Sequence, residues 1–240
     1  MSIDVYDMFQ RIVPTYDLLN HLFSFNIDKR WRKRVWRLAS LGPKSRVLDV
    51  CTGTADVAIQ FARSSRDAEI IGIDFSDAML ERGKQKVAAA GLSERIELRQ
   101  MDAMMIQLPE ASFDAVAVAF GLRNLPDWRR GIFEMARMTK PAGRLLILEF
   151  VPPDSSFFGR LYAWYLAHIM PAIGGIISGY RPSYTYLHSS ITAFLEPEKI
   201  IAIMKEAGLP DAKAERLTGG IAYIFHGTKG AGAATDAERR

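Results

Sequence analysis

Apolar positions along this chain fall into two rhythms. Short dense runs at Arg46–Cys51, Glu69–Asp74, Arg95–Met101, Phe113–Ala119 and Arg144–Val151 have the length and composition of buried strands. Between them, Val57–Ala62, Ser76–Ala90 and Asp127–Thr139 carry the spacing of amphipathic helices. Ser76 offers a side-chain oxygen to cap the second of these, and Gly91 can stop it. Lys140-Pro-Ala-Gly143 is expected to end the third before the next strand begins. Strands alternating with helices in this way require a mostly parallel sheet with helices on both faces.

The two flanks break the rhythm. Ile3–Leu41 reads as amphipathic helix interrupted at Pro14. Phe157–Ile177 is apolar and aromatic, but Arg160, His168, Pro171 and the Gly174-Gly175 pair argue against a membrane span. A helix at Glu196–Ala207 follows, then strands at Ala212–Leu217 and Ile221–Gly227 joined through Gly219-Gly220. The expected architecture is an α/β, Rossmann-like, mostly parallel seven-stranded sheet with an antiparallel C-terminal hairpin. One domain spans 1–229, with a helical N-terminal lid over 1–42 and a helical substrate-side insertion over 152–195. Residues 230–240 read as a disordered tail.

Composition adds modest constraints. With 240 residues, 49% apolar, the chain can build one large core. Cys51 is its single cysteine, so no intramolecular disulfide forms and a reducing compartment is expected. The polar N-terminus lacks the apolar core of a signal peptide, which points to the cytoplasm. A net charge of +4 is weak support for nucleic-acid binding, and no aromatic-basic motif adds to it. The local pattern is sharper: Lys29, Arg30, Arg32, Lys33, Arg34, Arg37, Lys44 and Arg46 follow one another with no acid between them. Such a run is either a solvated helix face or a patch for anionic lipid or a phosphorylated partner.

The candidate chemistry lies at the strand ends. Asp49-Val-Cys-Thr-Gly-Thr-Ala-Asp56 closes the first strand, and Gly53 lets a ligand approach the backbone. Asp74, followed by Phe75, closes the second strand, where a carboxylate can take both hydroxyls of a ribose. Asp102, followed by Ala103, closes the third and can accept from an adenine amino group. Each acid also has a plainer reading: Asp49 can hold its loop, and Asp74 can flank a helix. A nicotinamide dinucleotide is disfavoured, because its fingerprint needs three glycines and only Gly53 is present. An adenosyl ligand without a pyrophosphate has no such need.

Four separated segments carry a resemblance. They are Tyr16-Asp17-Leu-Leu-Asn20 with Ser24 and Trp31, Phe120-Gly-Leu-Arg-Asn124, Lys140–Phe150, and Ser183-Tyr-Thr-Tyr-Leu187 with Ser190-Ile191. In these the chain resembles the UbiE/MenG quinone C-methyltransferases, a family of the class I S-adenosylmethionine-dependent methyltransferases, from about Tyr6 to Lys229. The resemblance implies methyl transfer from S-adenosyl-L-methionine to a ring carbon of a prenylated quinol, either a demethylmenaquinol or a methoxy-polyprenyl-benzoquinol. It implies cofactor contacts at Thr54, Asp74, Asp102 and Ala103. The sequence departs from the family pattern at Leu19, Ala55, Ala119, Thr185 and Ser189. Ala55 stands where glycine is usual. Ala119 stands where a serine would add a hydroxyl to the cofactor wall.

The reaction needs no metal. It does need help at a ring hydroxyl, since a phenol has a pKa near 10. Arg123, just past the fourth strand, is the first candidate to stabilise a phenolate, with Asn124 orienting the ring oxygen. Tyr16 and Tyr184 are second candidates. His168 has the intrinsic pKa of a base, although a histidine packed among tyrosines is more often structural. A long-tailed acceptor implies transient contact with a membrane surface, and a homodimer is admitted. The rival readings are O- or N-methylation of another small hydrophobic acceptor, and a non-catalytic adenosyl- or nucleic-acid-binding module.

Overall fold

The computed structural model describes residues 13, 24, 26–169 and 182–231. Most of the expected lid, residues 170–181 of the insertion and the last nine residues of the tail lie outside the described residues, and Tyr16 lies there too.

Seven strands form one sheet: β1 (Arg46–Val50), β2 (Glu69–Asp74), β3 (Ile96–Gln100), β4 (Phe113–Ala119), β5 (Thr139–Phe150), β6 (Lys213–Leu217) and β7 (Ala222–Thr228). Their spatial order is β3-β2-β1-β4-β5-β7-β6. The first five run parallel, while β7 lies antiparallel between β5 and β6. The helices are α1 (Ile27–Ala39), α2 (Asp56–Ser64), α3 (Asp77–Ala89), α4 (Trp128–Met138), α5 (Phe157–Trp164), α6 (Pro182–Thr192) and α7 (Pro197–Glu206).

Strand periodicity divides the core into two layers. Leu48, Val50, Val116, Val118, Leu145 and Ile147 face one side and pack with Ile132, Met135, Ile200 and Met204. Their neighbours Val47, Ala115, Ala117, Leu146 and Leu148 face the other side, with Trp31, Val35, Val57 and Phe61. Burial on both faces explains why the central strands read as unbroken apolar runs. Truncating one of these side chains to alanine costs about 2–5 kcal/mol.

Two expectations are corrected here. Lys140-Pro-Ala-Gly143 does not separate helix from strand, because β5 already begins at Thr139, which pairs with Phe113. The register shifts between Phe113 and Ala115, so the segment is a bulge that the ladder absorbs. Ala142 there has φ 61° and donates its N–H to the Lys229 carbonyl at 2.8 Å. The basic run is also not one solvated face. Arg32 is buried and paired with Asp28 and, at 3.5 Å, Asp56. Arg46 lies with its guanidinium carbon 5.2 Å from the centre of the Phe113 ring. Lys29, Arg30, Lys33, Arg34, Arg37 and Lys44 remain exposed.

Candidate active site

The loop after β1 alternates its backbone hand. Cys51, Gly53 and Ala55 have φ of 54°, 54° and 67°, with ordinary residues between them. Such alternation turns successive N–H groups toward a common concavity. A left-handed non-glycine residue costs about 1–3 kcal/mol, and Cys51 and Ala55 both bear that cost beside the crevice. Gly53 is the open point: a Cβ built on it meets nothing within 4 Å, so bare backbone faces the space above.

Buried carboxylates fix this loop. Asp49 accepts from the Thr52 hydroxyl at 2.5 Å and the Ala58 N–H at 3.1 Å, both through Oδ2. Its Oδ1 has no partner among the described residues. Burial, only partly offset by those two bonds, raises its pKa to about 7. Asp74 accepts from the Gly53 N–H at 2.8 Å and the Ser76 N–H at 2.9 Å. Burial pushes its pKa up as well, against these backbone bonds. Asp56 at the start of α2 takes Lys86 Nζ at 2.7 Å, and Lys86 also donates to Thr54 Oγ1 at 3.0 Å. Arg32 completes the cluster, joining α1 to the loop.

Above the loop lies a cavity of about 330 Å³. Gly53, Asp74, Phe75, Asp102, Ala103 and Ala119 line it together with Met79, Met101, Phe120, Asn124 and Leu125. It sits beyond the carboxyl ends of β1, β2 and β4, where the strand order reverses. Its polar groups are few against apolar walls, and its size falls within the small-molecule range of about 300–1,000 Å³. Of the eight residues expected at a cofactor, six line this cavity. Asp49 and Thr54 do not, and they serve the loop from below.

The acceptor-side expectations divide differently. Arg123 does not line the cofactor cavity. Its Nη1 donates to Glu149 Oε1 at 2.6 Å and to the Phe120 carbonyl at 2.8 Å. The two side chains of this pair are 8% and 0% exposed, so it is a buried ion pair and not a free cation. Burial raises the Glu149 pKa even though Arg123 opposes the shift. Arg123 Nε has no partner among the described residues. Asn124 does line the cavity, and it accepts from the Tyr186 hydroxyl at 3.1 Å through Oδ1. His168 is exposed, stacked on Trp164, and linked through Nδ1 to the Trp164 carbonyl at 3.0 Å. It lies in the π-helical turn Tyr165–Ile169 after α5 and lines neither the cavity above the loop nor the aromatic cavity beside it. The backbone of Tyr184 lies in α6, while its side chain is outside the described residues.

Two residues of this site received no role from the sequence. Glu149 was marked by its position, an acid inside the apolar run Leu145–Phe150, where charges are almost never fully buried unless paired. Tyr186 is one of several aromatic residues in its stretch, and nothing local marks it as the partner of Asn124. Only the packing of α6 against the turn at Leu122–Asn124 singles it out.

A second cavity, of about 440 Å³, lies beside the first. Trp31, Phe150, Leu161, Tyr162, Trp164, Tyr165, Leu187 and Ile221 line it. Phe150 stacks on Phe120 with centroids 4.6 Å apart, and Trp31 stands 6.2 Å from each ring. Phe120 lines the cofactor cavity and Phe150 the second, so this aromatic pair is the partition between them.

The strand order and the crevice at its switch point define the class I S-adenosylmethionine-dependent methyltransferase fold. A SAM dependent methyltransferase from Aquifex aeolicus superposes with a TM-score of 0.57 over 82% of this chain and 88% of that one, at 18% identity. The phosphoethanolamine N-methyltransferase 2 of Haemonchus contortus, solved with S-adenosyl-L-methionine, gives 0.63 over 84% of this chain and 53% of that one, at 16% identity. Residues 2–229 match the model of the ubiE/COQ5 methyltransferase family. The chain belongs to that family. It is 43% identical over 225 residues to a demethylmenaquinone methyltransferase of Deinococcus radiodurans, covering 94% of this chain and 92% of the relative. It is 41% identical over 225 residues to a ubiquinone/menaquinone biosynthesis C-methyltransferase of Geobacter sulfurreducens, covering 93% and 88%.

Proposed function

We propose that this methyltransferase moves the methyl group of S-adenosyl-L-methionine onto a ring carbon of a prenylated quinol in menaquinone or ubiquinone biosynthesis. The observation that carries the reading is the meeting of two features at one wall. The cavity over Gly53 and Asp74 reaches the Asn124 side chain, and the buried Arg123–Glu149 pair lies behind Phe120 of its wall. The family and the printed activities of its relatives support the same chemistry.

The residues present fit the cofactor. The Asp74 oxygens accept the Gly53 and Ser76 N–H groups and keep further lone pairs for ribose hydroxyls. Bare backbone at Gly53 leaves room for the amino-acid end, and Asp102 stands at the far end of the cavity. Bound there, S-adenosyl-L-methionine supplies an electrophilic methyl on a sulfonium. The protein's part is to hold the acceptor carbon in line with it and keep water out.

The acceptor must also lose its hydroxyl proton. We assign Arg123 to the developing phenolate in a changed form: its charge is matched by Glu149 and its Nε–H is buried outside both cavities, so the pair acts as a fixed dipole behind Phe120 while the hydroxyl proton leaves to water. Asn124, braced by Tyr186, orients the ring oxygen. The test is to incubate the protein with S-adenosyl-L-methionine and a panel of benzoquinols and naphthoquinols, and follow methyl gain by mass. Methylation at a ring carbon is expected. Transfer to oxygen or nitrogen, or no transfer, would overturn the reading.

No described helix is long and apolar enough to cross a membrane. The long-tailed substrate resides in a bilayer, so we place the working enzyme at its surface, with the exposed cations of α1 toward anionic lipid. Flotation with anionic vesicles is expected at low salt and to fall at high salt; equal recovery at both would remove the charge argument.

A further inference from the structure

The second cavity has no part in binding the cofactor, yet it is the larger of the two. We propose that it is a polyprenyl-binding channel, running from the Phe120–Phe150 partition to the exposed face of α5. The proposal rests on the quinol reading, and it adds where the tail lies and how much of it the protein holds.

Three observations carry it. The wall is apolar where a hydrocarbon would touch it: Trp31, Phe150, Leu161, Trp164, Leu187 and Ile221. Two of its polar members are engaged elsewhere: Trp31 Nε1 donates to Thr218 Oγ1 at 3.1 Å, and Asp154 accepts from the Ser156 N–H at 3.0 Å and Arg216 Nη2 at 2.8 Å. The inner end stops at Phe150, one stacked ring from the cofactor cavity, which is where a quinol head must come to react. The outer end is bounded by Leu161 and Trp164, each 53% exposed on α5. Large apolar side chains half open to solvent at a cavity mouth fit continuity with lipid.

The cavity, at about 440 Å³, is of small-molecule size and takes the first units of a tail, not a whole one. Tail beyond it leaves between Leu161 and Trp164 and stays in the bilayer. The channel therefore grips the first few units and ignores total tail length.

The test uses the full chain and quinols bearing zero to six prenyl units. In detergent-free buffer kcat/KM is expected to rise by at least about tenfold per unit over the first units and to level off before six. Leu187→Trp and Ile221→Trp fill the cavity. In each, the ratio of kcat/KM for the three-unit quinol to that for the tailless quinol should fall by about 100-fold. Using this ratio within one protein removes any general loss of folded enzyme. A second readout needs no turnover: calorimetry should show farnesol binding to the wild type and not to Leu187→Trp at the same concentration. Ratios equal to wild type in both variants, or a rise in kcat/KM that continues evenly to six units, would overturn the channel. Absence of transfer to any quinol, with farnesol still bound, would sink the quinol reading and leave the channel standing.

Discussion

Replacing one member of the buried Arg123–Glu149 pair at a time should give two defects with opposite pH behaviour. In Arg123→Met, a carboxylate with no solvent exposure loses its cation, keeping only the N–H groups of residue 123 at 3.3 Å and Phe150 at 2.9 Å. In Glu149→Gln, a guanidinium that does not deprotonate is left buried without an anion. Breaking such a pair costs about 3–5 kcal/mol, and at about 2–4 °C per kcal/mol for a domain of this size the melting point falls by about 6–20 °C. The carboxyl can escape its penalty by protonating, while the guanidinium cannot. Glu149 already has a raised folded pKa, which loss of Arg123 raises further. The penalty in Arg123→Met is thus complete above that pKa and lost as pH falls through it, by about 1.4 kcal/mol per unit. Urea denaturation at pH 8 and pH 5.5, each against wild type at the same pH, reads the difference. Arg123→Met should recover most of its stability at pH 5.5 and Glu149→Gln none. The double variant Arg123→Met/Glu149→Leu should lie within about 1 kcal/mol of wild type. Parallel pH profiles for the two single variants, or a double variant as unstable as their sum, would refute the account of a desolvated pair.

Other outcomes follow from the same geometry. Asp74→Ala removes the acceptor of the Gly53 and Ser76 N–H groups as well as the ribose partner, so calorimetry should show cofactor affinity down by at least about 100-fold and unfolding stability down by about 2–3 kcal/mol. Unchanged affinity would remove the ribose role. Asp49 has a folded pKa of about 7, above its unfolded value near 4, so wild-type stability should decline as pH rises between these values. Asp49→Asn should flatten that decline, and a decline of unchanged size would acquit Asp49. Tyr186→Phe loses the bond to Asn124 and should lower kcat about tenfold with the cofactor Kd unmoved. A shift in Kd instead would place Tyr186 in cofactor binding.

Much of the scaffold was legible because its signals are local. Phe113–Ala119 emerges with the expected bounds, and Ser76 caps α3 by accepting from the Met79 N–H as its side-chain chemistry suggests. The acids at strand ends were legible through position alone, since parallel strands deliver their carboxyl termini to one edge. Asp49 and Asp74 show the limit of that logic. Both close strands, but only Asp74 reaches the cavity, because Asp49 turns beneath the loop to hold Thr52 and Ala58. The Lys140–Gly143 break failed for a related reason: a proline and glycine disfavour regular strand locally, yet pairing with Phe113 and Lys229 carries the chain through as a bulge. Arg123 was legible as a candidate, but its pairing with Glu149 was not, since that partner is 26 positions away and pairing is invisible without the fold. The second cavity joins α1, β5, α5, α6 and the turn before β7, a convergence that no single stretch of sequence could announce.

Arg32 and its acidic neighbours bear on how this protein can be shortened. A clone trimmed to begin at β1 would keep the whole sheet, yet leave Asp56 without one of its two cations and Phe120 without the indole beside it. Such a fragment should fold while gripping its cofactor poorly. The first described helix is part of the foundation under the nucleoside, so grafting or minimising efforts must carry it along with the glycine loop as one piece.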